Sequence, residues 1–355
     1  MMRRLELGGS PGERGRRHGE VLAADIHRLR RALLAYLARI SLYAGALPLY
    51  TLLTWLARGF WPQVPPHLRE EMAAIASGAD VGLGSVLLLN VLDDLANNSP
   101  RCSALAVEPS RSVSGVALMG RNLDYPVFTE YLVPLQTLFL IAPDRGQPLA
   151  SLAWPGYVGV CTGMNHAGVA LAQLSAISRD RSLKGIPAAL RFRLALESGS
   201  TVAAVAARVL EAPGTIGNNL MLCDPRQALV LEVSARRGAV RRPDHGVLTV
   251  TNHYQSPAME SLKGRFPPRP PYAVLSSYYF TEAYSQARDR RLRELGGARP
   301  LAPHDIQQIL ADPQVANPGT VVCAVFRPED RVLWVARGQT PPVNQGPFAR
   351  LALWR

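Results

Sequence analysis

The stretch Cys102-Ser-Ala-Leu-Ala-Val107, followed after a turn by Val116-Ala-Leu-Met-Gly-Arg-Asn-Leu-Asp-Tyr125, decides the fold of this chain. Both runs are apolar and short, and the segment between them, residues 109–115, is rich in Ser, Pro and Gly. Such a pattern predicts a β-hairpin. Pairing of its two strands would bring Arg121 and Asp124 close to Cys102.

These three residues suit one kind of chemistry. A guanidinium beside a thiol favours the thiolate, and a carboxylate suits an amine. Both make sense if Cys102 is the first residue of a mature chain, because an α-amino group titrates at about 7.7 to 8.0. That amine can take the thiol proton and return it to a leaving group, so no catalytic His is required.

With the motifs further along the chain, these residues closely resemble the N-terminal-nucleophile (Ntn) cysteine amidases of the linear amide C–N hydrolase group. That group includes the acyl-coenzyme A:6-aminopenicillanate acyltransferases (peptidase C45), the bile salt hydrolases, and the acid ceramidase and N-acylethanolamine amidase branch. The resemblance spans almost the whole chain and is strongest with the acyltransferases. Besides Cys102-Ser-Ala and Gly120-Arg-Asn-Leu-Asp-Tyr125, it rests on residues 9–16, 70–79, 164–169, 249–253 and 331–338.

The resemblance implies an α+β fold, a four-layer αββα Ntn-hydrolase sandwich with a helical N-terminal propeptide segment. It also implies an inactive precursor, or zymogen, that cleaves its own Arg101–Cys102 bond autocatalytically. Residues 1–101 would then form a small helical chain that stays bound, and residues 102–355 the catalytic chain, within one integrated domain. The polar segment 97–101 leads to the expected cleavage point.

The resemblance also assigns roles to individual residues. It places Arg121 beside the thiol, Asp124 on the α-amine, and the side-chain amide of Asn252 on the oxyanion, where such a donor contributes about 2.7 to 4 kcal/mol in other acyl-transfer sites. Arg288 aligns with an orienting arginine, although Ala287 precedes it where many relatives have Ser. The second oxyanion donor aligns near Ser175, through its side chain or its backbone N–H.

Each of these assignments has a structural alternative. Cys102 by itself would be a buried strand cysteine, and Arg121 with Asp124 would be an ion pair at a strand end. Asn252 would only stabilise the turn after a strand. His166 and His253 are interpreted as loop residues without a role.

Composition excludes several classes of function. Lys plus Arg number 39 against 27 Asp plus Glu, a net charge of +12, but the basic residues are spread along the chain. The densest run, residues 288–293, predicts a solvated helix face without interleaved aromatic residues, so we expect no nucleic-acid partner. The four cysteines lie far apart, which disfavours a disulfide scaffold, a zinc site or any other metal site. No cofactor is expected.

The N-terminus is charged and Gly-rich without an apolar core, which favours a cytoplasmic location. Residues 40–57 form an 18-residue stretch without charge, but Gly45 and Pro48 interrupt it. We therefore expect two helices meeting at a bend rather than a transmembrane span. These helices, with Phe60-Trp61, would flank an acyl pocket or its entrance, and peripheral membrane contact stays an alternative.

Hydrophobic periodicity predicts where the elements lie. Before residue 100 it predicts mostly helices, at 21–38 and within 66–95. Further helices are expected at 188–197, 201–211, 275–284, 285–295 and 303–311. Strands are expected at 102–107, 116–119, 136–141, 149–154, 158–162, 169–174, 219–223, 228–233, 247–251, 320–326 and 332–336.

Together these features predict a self-processing N-terminal-cysteine amidase or acyltransferase. It would cleave linear amide C–N bonds of N-acyl compounds through a Cys102 thioester, and water or another acceptor would resolve that thioester. Its partners would be a small-molecule N-acyl amide or acyl donor, a long acyl chain being compatible, and its own cleaved N-terminal chain. The alternatives are a catalytically silent Ntn-fold binding module and a membrane-surface lipid-binding protein.

Overall fold

Two β-sheets stacked face to face, with helices on both outer faces, make up the computed structural model, which describes residues 2–41, 45–96 and 101–354. The strands are β1 Arg3–Gly9, β2 Ser103–Val107, β3 Leu118–Asp124, β4 Thr137–Pro143, β5 Leu149–Ala153, β6 Thr162–Asn165, β7 Ala170–Ser175, β8 Asn218–Cys223, β9 Ala228–Val233, β10 Gly238–Arg241, β11 Val247–Val250, β12 Thr320–Arg327, β13 Val332–Ala336 and β14 Phe348–Ala352. The helices are α1 Pro11–Ile40, α2 Ala46–Arg58, α3 Pro66–Gly78, α4 Leu83–Ala96, α5 Thr129–Leu135, α6 Ala188–Ser198, α7 Val202–Glu211, α8 Pro257–Glu260, α9 Glu282–Gly297 and α10 Pro303–Ala311.

The larger sheet has the strand order β1-β4-β5-β6-β7-β8-β9-β10, and the smaller one β11-β2-β3-β12-β13-β14. Apart from the parallel β1–β4 pair, neighbouring strands are antiparallel. The predicted hairpin is present as β2–β3, with Ala104 opposite Arg121. It lies in the middle of the smaller sheet, between β11 and β12.

Alternation along β2 shows how the layers are built. Ala104 and Ala106 belong to the core between the two sheets, whereas Leu105 and Val107 pack outward with residues of α9 and α10. Successive side chains of a strand point to opposite faces, so one strand serves both cores. The other outer face, on the larger sheet, is covered by α1, α3, α4, α6 and α7. The four layers are therefore α, β, β and α, and the predicted sandwich is confirmed.

Small residues let α1 and α3 pack closely. A β-carbon at Gly15 would lie 2.3 Å from the carbonyl oxygen of Glu71, and one at Gly19 would lie 2.4 Å from that of Ile75. Glycine is thus the residue that fits at these two helix contacts. The contact aligns α1 with the buried charges that α3 presents.

A buried ion network joins these N-terminal helices to α6. Glu71 on α3 accepts hydrogen bonds from Arg193, at 2.7 and 2.9 Å, and from Arg14, at 3.2 Å. Arg193 also pairs with Glu197 on its own helix at 2.8 Å. Burial alone would raise the pKa of Glu71, but the two guanidinium groups outweigh burial and hold that pKa below its ordinary value. The network therefore fixes residues before position 100 to residues beyond it.

Two predictions about secondary structure were wrong in detail, and β1, β10, β14, α5 and α8 were not predicted. The helix expected at 275–284 is a short 3₁₀ turn over 277–280, because the Thr281 side chain caps α9 and that helix begins at Glu282. The strand expected at 158–162 begins only at Thr162. Strand β1 was missed, although its Leu5 and Leu7 are buried while Arg4, Glu6 and Gly8 beside them are exposed. This alternation is typical of a half-buried strand.

The apolar stretch 40–57 contains the end of α1 and most of α2, with residues 42–44 outside the described part of the chain. Helix α2 begins after Gly45, whose φ is +74°, so the predicted break between two helices is confirmed. None of the described helices has the length and apolar character needed to cross a membrane.

We expect Glu71→Gln to lower the free energy of unfolding by about 3 to 5 kcal/mol, because it leaves Arg193 and Arg14 buried without their shared carboxylate. Urea denaturation followed by circular dichroism measures this loss. Glu211→Gln is the control, since Glu211 pairs with Arg208 in the solvent and contributes little. Equal stability of the two variants would contradict a structural role for the network.

Candidate active site

Cys102 lies directly before the first residue of β2, where the strands β11, β2 and β3 of the smaller sheet have neighbouring ends, and it is fully buried. The neighbouring strand ends belong to β3 and β11, so Asp124 and Asn252 lie on its two sides. The backbone N–H of Arg101 donates to the carbonyl oxygen of Asp124 at 2.8 Å, which continues the β2–β3 pairing past the strand. Burial raises the pKa of the Cys102 thiol, while Arg121 acts in the opposite direction.

Arg121 and Asp124 face opposite sides of the smaller sheet. Met119 and Leu123, which alternate with Gly120 and Asn122 on β3, belong to the core between the sheets, and Arg121 shares their face. Asp124 lies on the other face, toward α9. The spacing Arg-Asn-Leu-Asp therefore places the Arg121 cation on the sheet face that carries the Cys102 side chain, between the two sheets, which we call the thiol side. It places the Asp124 carboxylate on the opposite face, next to α9, which we call the main-chain side.

The Arg121 guanidinium reaches across to the larger sheet. It donates to the carbonyl oxygens of Cys161 at 3.1 Å and Gln173 at 3.0 Å, and to the hydroxyl of Thr162. No ion pair joins Arg121 to Asp124 in the described residues. The alternative of a structural ion pair between them is therefore wrong.

The carboxylate of Asp124 is held by groups that the sequence interpretation missed. Thr320 donates to Oδ1 at 2.7 Å, and the side-chain amide of Asn317 donates to Oδ2 at 2.6 Å. Arg288 lies 3.4 Å from Oδ2. Burial raises the pKa of Asp124 to about 6, and the contacts with Arg288, Thr320 and Asn317 limit that rise. The carboxylate is thus fixed in place, and its pKa lies close to neutral pH.

Arg288 on α9 connects the separate parts of the site. Its Nη1 donates to the carbonyl oxygens of Arg101 and Cys102, both at 2.9 Å, and its Nη2 donates to Oδ1 of Asn252 at 2.8 Å. Its guanidinium also lies over the Tyr284 ring, 4.4 Å from the centroid. The carbonyl of Arg101 belongs to the peptide bond predicted to break, so Arg288 contacts that bond directly.

Asn252 and Ser175 meet on the other side of Cys102. Nδ2 of Asn252 donates to the carbonyl oxygen of Ser175 at 2.8 Å, and the Asn252 backbone N–H donates to Oγ of Ser285 at 2.8 Å. The Ser175 hydroxyl is buried and makes no hydrogen bond within the described residues. Hydrogen bonds and one ion pair therefore connect Cys102, Asp124, Ser175, Asn252 and Arg288 with Arg101. Arg121, the sixth predicted residue, bonds to the larger sheet and acts on the Cys102 thiol electrostatically. Residues 97–100 lie outside the described part of the chain.

A largely apolar cavity of about 100 Å³ adjoins this cluster. Leu123 and Tyr125, on either side of Asp124, belong to its wall, as do Cys161 and Gln173, whose carbonyl groups bind Arg121. The opposite wall comes from α1 and α4, with Leu29, Ala32, Leu33, Leu89, Asn90, Leu92, Asp93 and Asp94. Residues 40–57 and Phe60-Trp61 were expected to flank the pocket, but none of their described residues belongs to the cavity wall, so this expectation was wrong for the wall. Phe60 is buried in the helical core instead.

A profile of the family described as acyl-coenzyme A:6-aminopenicillanic acid acyl-transferase matches residues 111–341. The chain belongs to this family. The matched region contains Arg121, Asp124, Ser175, Asn252 and Arg288 and begins nine residues after Cys102 (111 − 102 = 9).

Two curated proteins are more distantly similar to this acyltransferase family member in sequence. An uncharacterized protein of Archaeoglobus fulgidus is 26% identical over 307 residues, covering 72% of this chain and 51% of the relative. Protein dcd1A of Dictyostelium discoideum is 24% identical over 239 residues, covering 59% and 53%. The chain spans about half the length of the curated relatives it matches.

Similar solved structures include three amide hydrolases. The Caenorhabditis elegans N-acylethanolamine-hydrolyzing acid amidase ortholog is 17% identical with a TM-score of 0.47, covering 64% of this chain and 93% of that one. A variant of the conjugated bile acid hydrolase from Clostridium perfringens is 15% identical with a TM-score of 0.49, covering 71% and 92%. Penicillin V acylase from Agrobacterium tumefaciens is 14% identical with a TM-score of 0.43, covering 71% and 92%.

In this acyltransferase family member, several residues that support the cluster carried a weak signal in the sequence. Asn317 stands in a polar turn just before β12, Thr320 is the first residue of β12, and Ser285 lies one helical turn before Arg288 on α9. Ser285 Oγ also lies 2.8 Å from Nδ1 of His253, a residue to which no role was assigned. Among the described residues, no group of His, Cys, Asp and Glu side chains could hold a metal ion.

We expect Asn317→Ala to raise the pKa of Asp124 above its wild-type value, because the carboxylate loses its 2.6 Å hydrogen bond. Titration of ¹³C-labelled aspartate carboxyl groups by NMR, with Asp124→Asn to assign the signal, measures this pKa. The control is Asn344→Ala, which removes a buried amide that bonds the Leu310 carbonyl instead. An unchanged Asp124 titration in Asn317→Ala would show that this contact does not govern the carboxylate.

Proposed function

We propose that this protein is a self-processing N-terminal-cysteine amidase or acyltransferase that acts on linear amide C–N bonds of N-acyl compounds. One observation carries the proposal: Cys102 has a guanidinium on its thiol side, and a carboxylate and a second guanidinium on its main-chain side. Membership of the acyltransferase family supports the same class of reaction.

In the processing step, Sγ of Cys102 attacks the carbonyl carbon of Arg101. The C–N bond to Cys102 breaks, the thiol proton passes to the departing nitrogen, and water then hydrolyses the resulting thioester. Arg288, which donates to the Arg101 carbonyl oxygen at 2.9 Å, is suited to stabilise the negative charge that develops there. Residues 1–101 and 102–355 become separate chains of one sandwich.

In the turnover step, Cys102 attacks the carbonyl carbon of an N-acyl amide. The new α-amine takes the thiol proton and delivers it to the departing amine, while Asp124 on the same side of the sheet orients that amine. The side-chain amide of Asn252, which donates to the carbonyl oxygen of Ser175 at 2.8 Å, is the proposed donor to the oxyanion. Water or a second amine then releases the acyl group.

The cavity is suited to hold the acyl part of the substrate. Its apolar wall removes hydrocarbon surface from water, and its volume is smaller than the roughly 150 Å³ cavity that holds a benzene molecule in another protein. We therefore favour short acyl groups, since a long acyl chain would require the cavity to widen toward the surface.

The N-terminal segment is a functional part of this enzyme in our proposal. Helices α1 and α4 form one wall of the cavity, and the Glu71–Arg193 contact holds the segment to the rest of the chain. Removing the segment after cleavage would open the acyl site to solvent, so the two chains stay together.

One feature favours the alternative of a membrane-surface protein. Helix α2 exposes several large apolar side chains, with Leu47 at 66% and Trp55 at 64% of their free area. Peripheral contact through α2 is compatible with amidase activity. A catalytically silent binding module would keep the sandwich and the cavity without forming a thioester.

We expect the purified chain to divide into fragments of about 11 and 28 kDa, as apportioned by length (101/355 and 254/355 of 38.6 kDa), the larger one beginning at Cys102. A denaturing gel with N-terminal sequencing measures this. Cys102→Ala should stay intact because it has no nucleophile, and Arg288→Lys should be cleaved more slowly because it loses the planar, two-armed donor. The buried Cys223→Ala is the matched control and should be cleaved normally. A chain that stays intact under all conditions would contradict self-processing.

We expect the processed protein, mixed with an N-acyl p-nitroanilide, to release p-nitroaniline and to carry a transient acyl group on Cys102. Acid quenching followed by mass spectrometry detects the thioester, and hydroxylamine should remove it. Cys102→Ala should form neither product, whereas Cys223→Ala should form both. Normal hydrolysis by Cys102→Ala would contradict the thioester mechanism.

A further inference from the structure

The cavity wall contains a carboxyl group, that of Asp93, most of whose hydrogen-bonding capacity the described residues do not use. Asp93, on α4, belongs to the cavity wall, and its Oδ1 accepts a hydrogen bond from the Tyr125 hydroxyl at 2.6 Å. The described residues give this carboxyl group no other hydrogen bond and no ion pair. A carboxylate can accept about four hydrogen bonds, so most of its capacity is open to a ligand.

The other polar side chains of the wall also bond to protein groups, and the second carboxyl group among them, Asp94, accepts two such bonds at Oδ1. Asn90 bonds four backbone groups, Asp94 binds the Thr215 hydroxyl and the Ala188 N–H, and Trp154 donates to the Leu132 carbonyl. Gln173 donates to Asn218, and the Tyr157 hydroxyl contacts Sγ of Cys161 at 3.0 Å. Asp93 is thus the member of the described wall that is best placed to recognise a polar group.

No Arg, Lys or His is among the described residues that line the cavity. A carboxylate in apolar surroundings without a cation is unfavourable, because it loses hydration and gains no opposite charge. Burial accordingly raises the pKa of Asp93 to about 7, with a further rise from neighbouring Asp94 and an opposing effect from the Tyr125 hydrogen bond. A ligand that brings a hydrogen-bond donor, best of all a positive one, would relieve this cost.

Asp93 is also close to the reaction. Its partner Tyr125 follows Asp124 directly on the chain, and both Tyr125 and Cys161 interact electrostatically with Asp93 and with Cys102. This proximity allows one small molecule to reach both groups, with its acyl carbonyl at the thiol and the far end of a short acyl chain at Asp93.

We propose that Asp93 is a specificity-determining residue, which selects short acyl groups whose far end carries a hydrogen-bond donor, an ammonium or a hydroxyl, over plain hydrocarbon acyl groups of equal length. This inference rests on the function proposed above. The residue that would select the acyl group, Asp93, lies in the N-terminal segment, whereas the proposed nucleophile, Cys102, lies after the proposed cleavage point.

The test compares three p-nitroanilides of equal length, those of butanoic, 4-hydroxybutanoic and 4-aminobutanoic acid, with the processed wild-type protein. We expect kcat/KM to be about tenfold or more higher for the donor-bearing substrates. It should be highest for the amine, because a charge-assisted hydrogen bond is stronger than a neutral one. Asp93→Leu should reverse this order. Equal or better hydrolysis of the butanoyl substrate by wild type, or an order unchanged in Asp93→Leu, would overturn the inference.

Two further variants separate selectivity from folding. Asp25→Asn is the control, because it neutralises a carboxylate of α1 that pairs with Arg3 and is not among the residues of the cavity wall, so it should keep the wild-type order. Asp93→Asn keeps an acceptor for Tyr125 and replaces Asp93→Leu if the leucine variant does not fold. It should lose the preference for the amine over the hydroxyl compound.

Thermal unfolding in the presence of butanamide or 4-aminobutanamide tests the same contact without catalysis. We expect 4-aminobutanamide to raise the Tm of wild type more than butanamide does, and Asp93→Leu to lose that difference. If wild type hydrolyses none of the three anilides, the proposed function fails, while this Tm comparison still decides the role of Asp93. Equal shifts by the two amides in wild type would overturn it.

Discussion

The buried guanidinium of Arg288 is the interaction on which the arrangement of this site depends. A cation inside a protein needs hydrogen-bond acceptors and an opposite charge, because it has lost its hydration. Arg288 finds them on three strand ends at once: the carbonyl oxygens of Arg101 and Cys102, the amide oxygen of Asn252 and the carboxylate of Asp124. Moving α9 by an ångström would break all of these contacts together. The position of that helix against the smaller sheet is therefore set by the chemistry of the strand ends.

The N-terminal segment is fixed by a comparable constraint on the other side of the molecule. Glu71 bonds both Arg14 and Arg193, and the close contact of α1 with α3 at Gly15 brings the three charges together inside the helical layer. Because buried ion pairs are costly to break, this layer cannot shift freely over the larger sheet. The cavity between the two segments consequently has a defined shape, which an acyl-binding site requires.

The sequence predicted those parts of the site that depend on local register. Pairing of two short strands placed Arg121 and Asp124 near Cys102, and the period of two explains why they lie on opposite faces of the sheet. Asn252, Ser175 and Arg288 came from resemblance alone, since nothing local connects them to residue 102. Asn317, Thr320, Ser285 and Asp93 were missed because tertiary packing brings them in from distant turns and helices. Strand β1 was missed because its apolar residues are only two, Leu5 and Leu7, among charges.

The shared wall of the cavity has a consequence for how such a protein diversifies. One side comes from residues 29–33 and 89–94, and the other side comes from residues beyond 102, among them Leu123 and Tyr125 on either side of Asp124. Substitutions in the first set can retune which molecules are accepted without touching the bonds that hold Cys102. Under the proposed function, the residues that recognise the acyl group can therefore change while those that bond Cys102 stay the same. Hybrids of related chains joined near residue 100 would, under the proposed function, exchange this wall of the cavity and keep Cys102 with its contacts. Such hybrids are expected to differ in the acyl group they select.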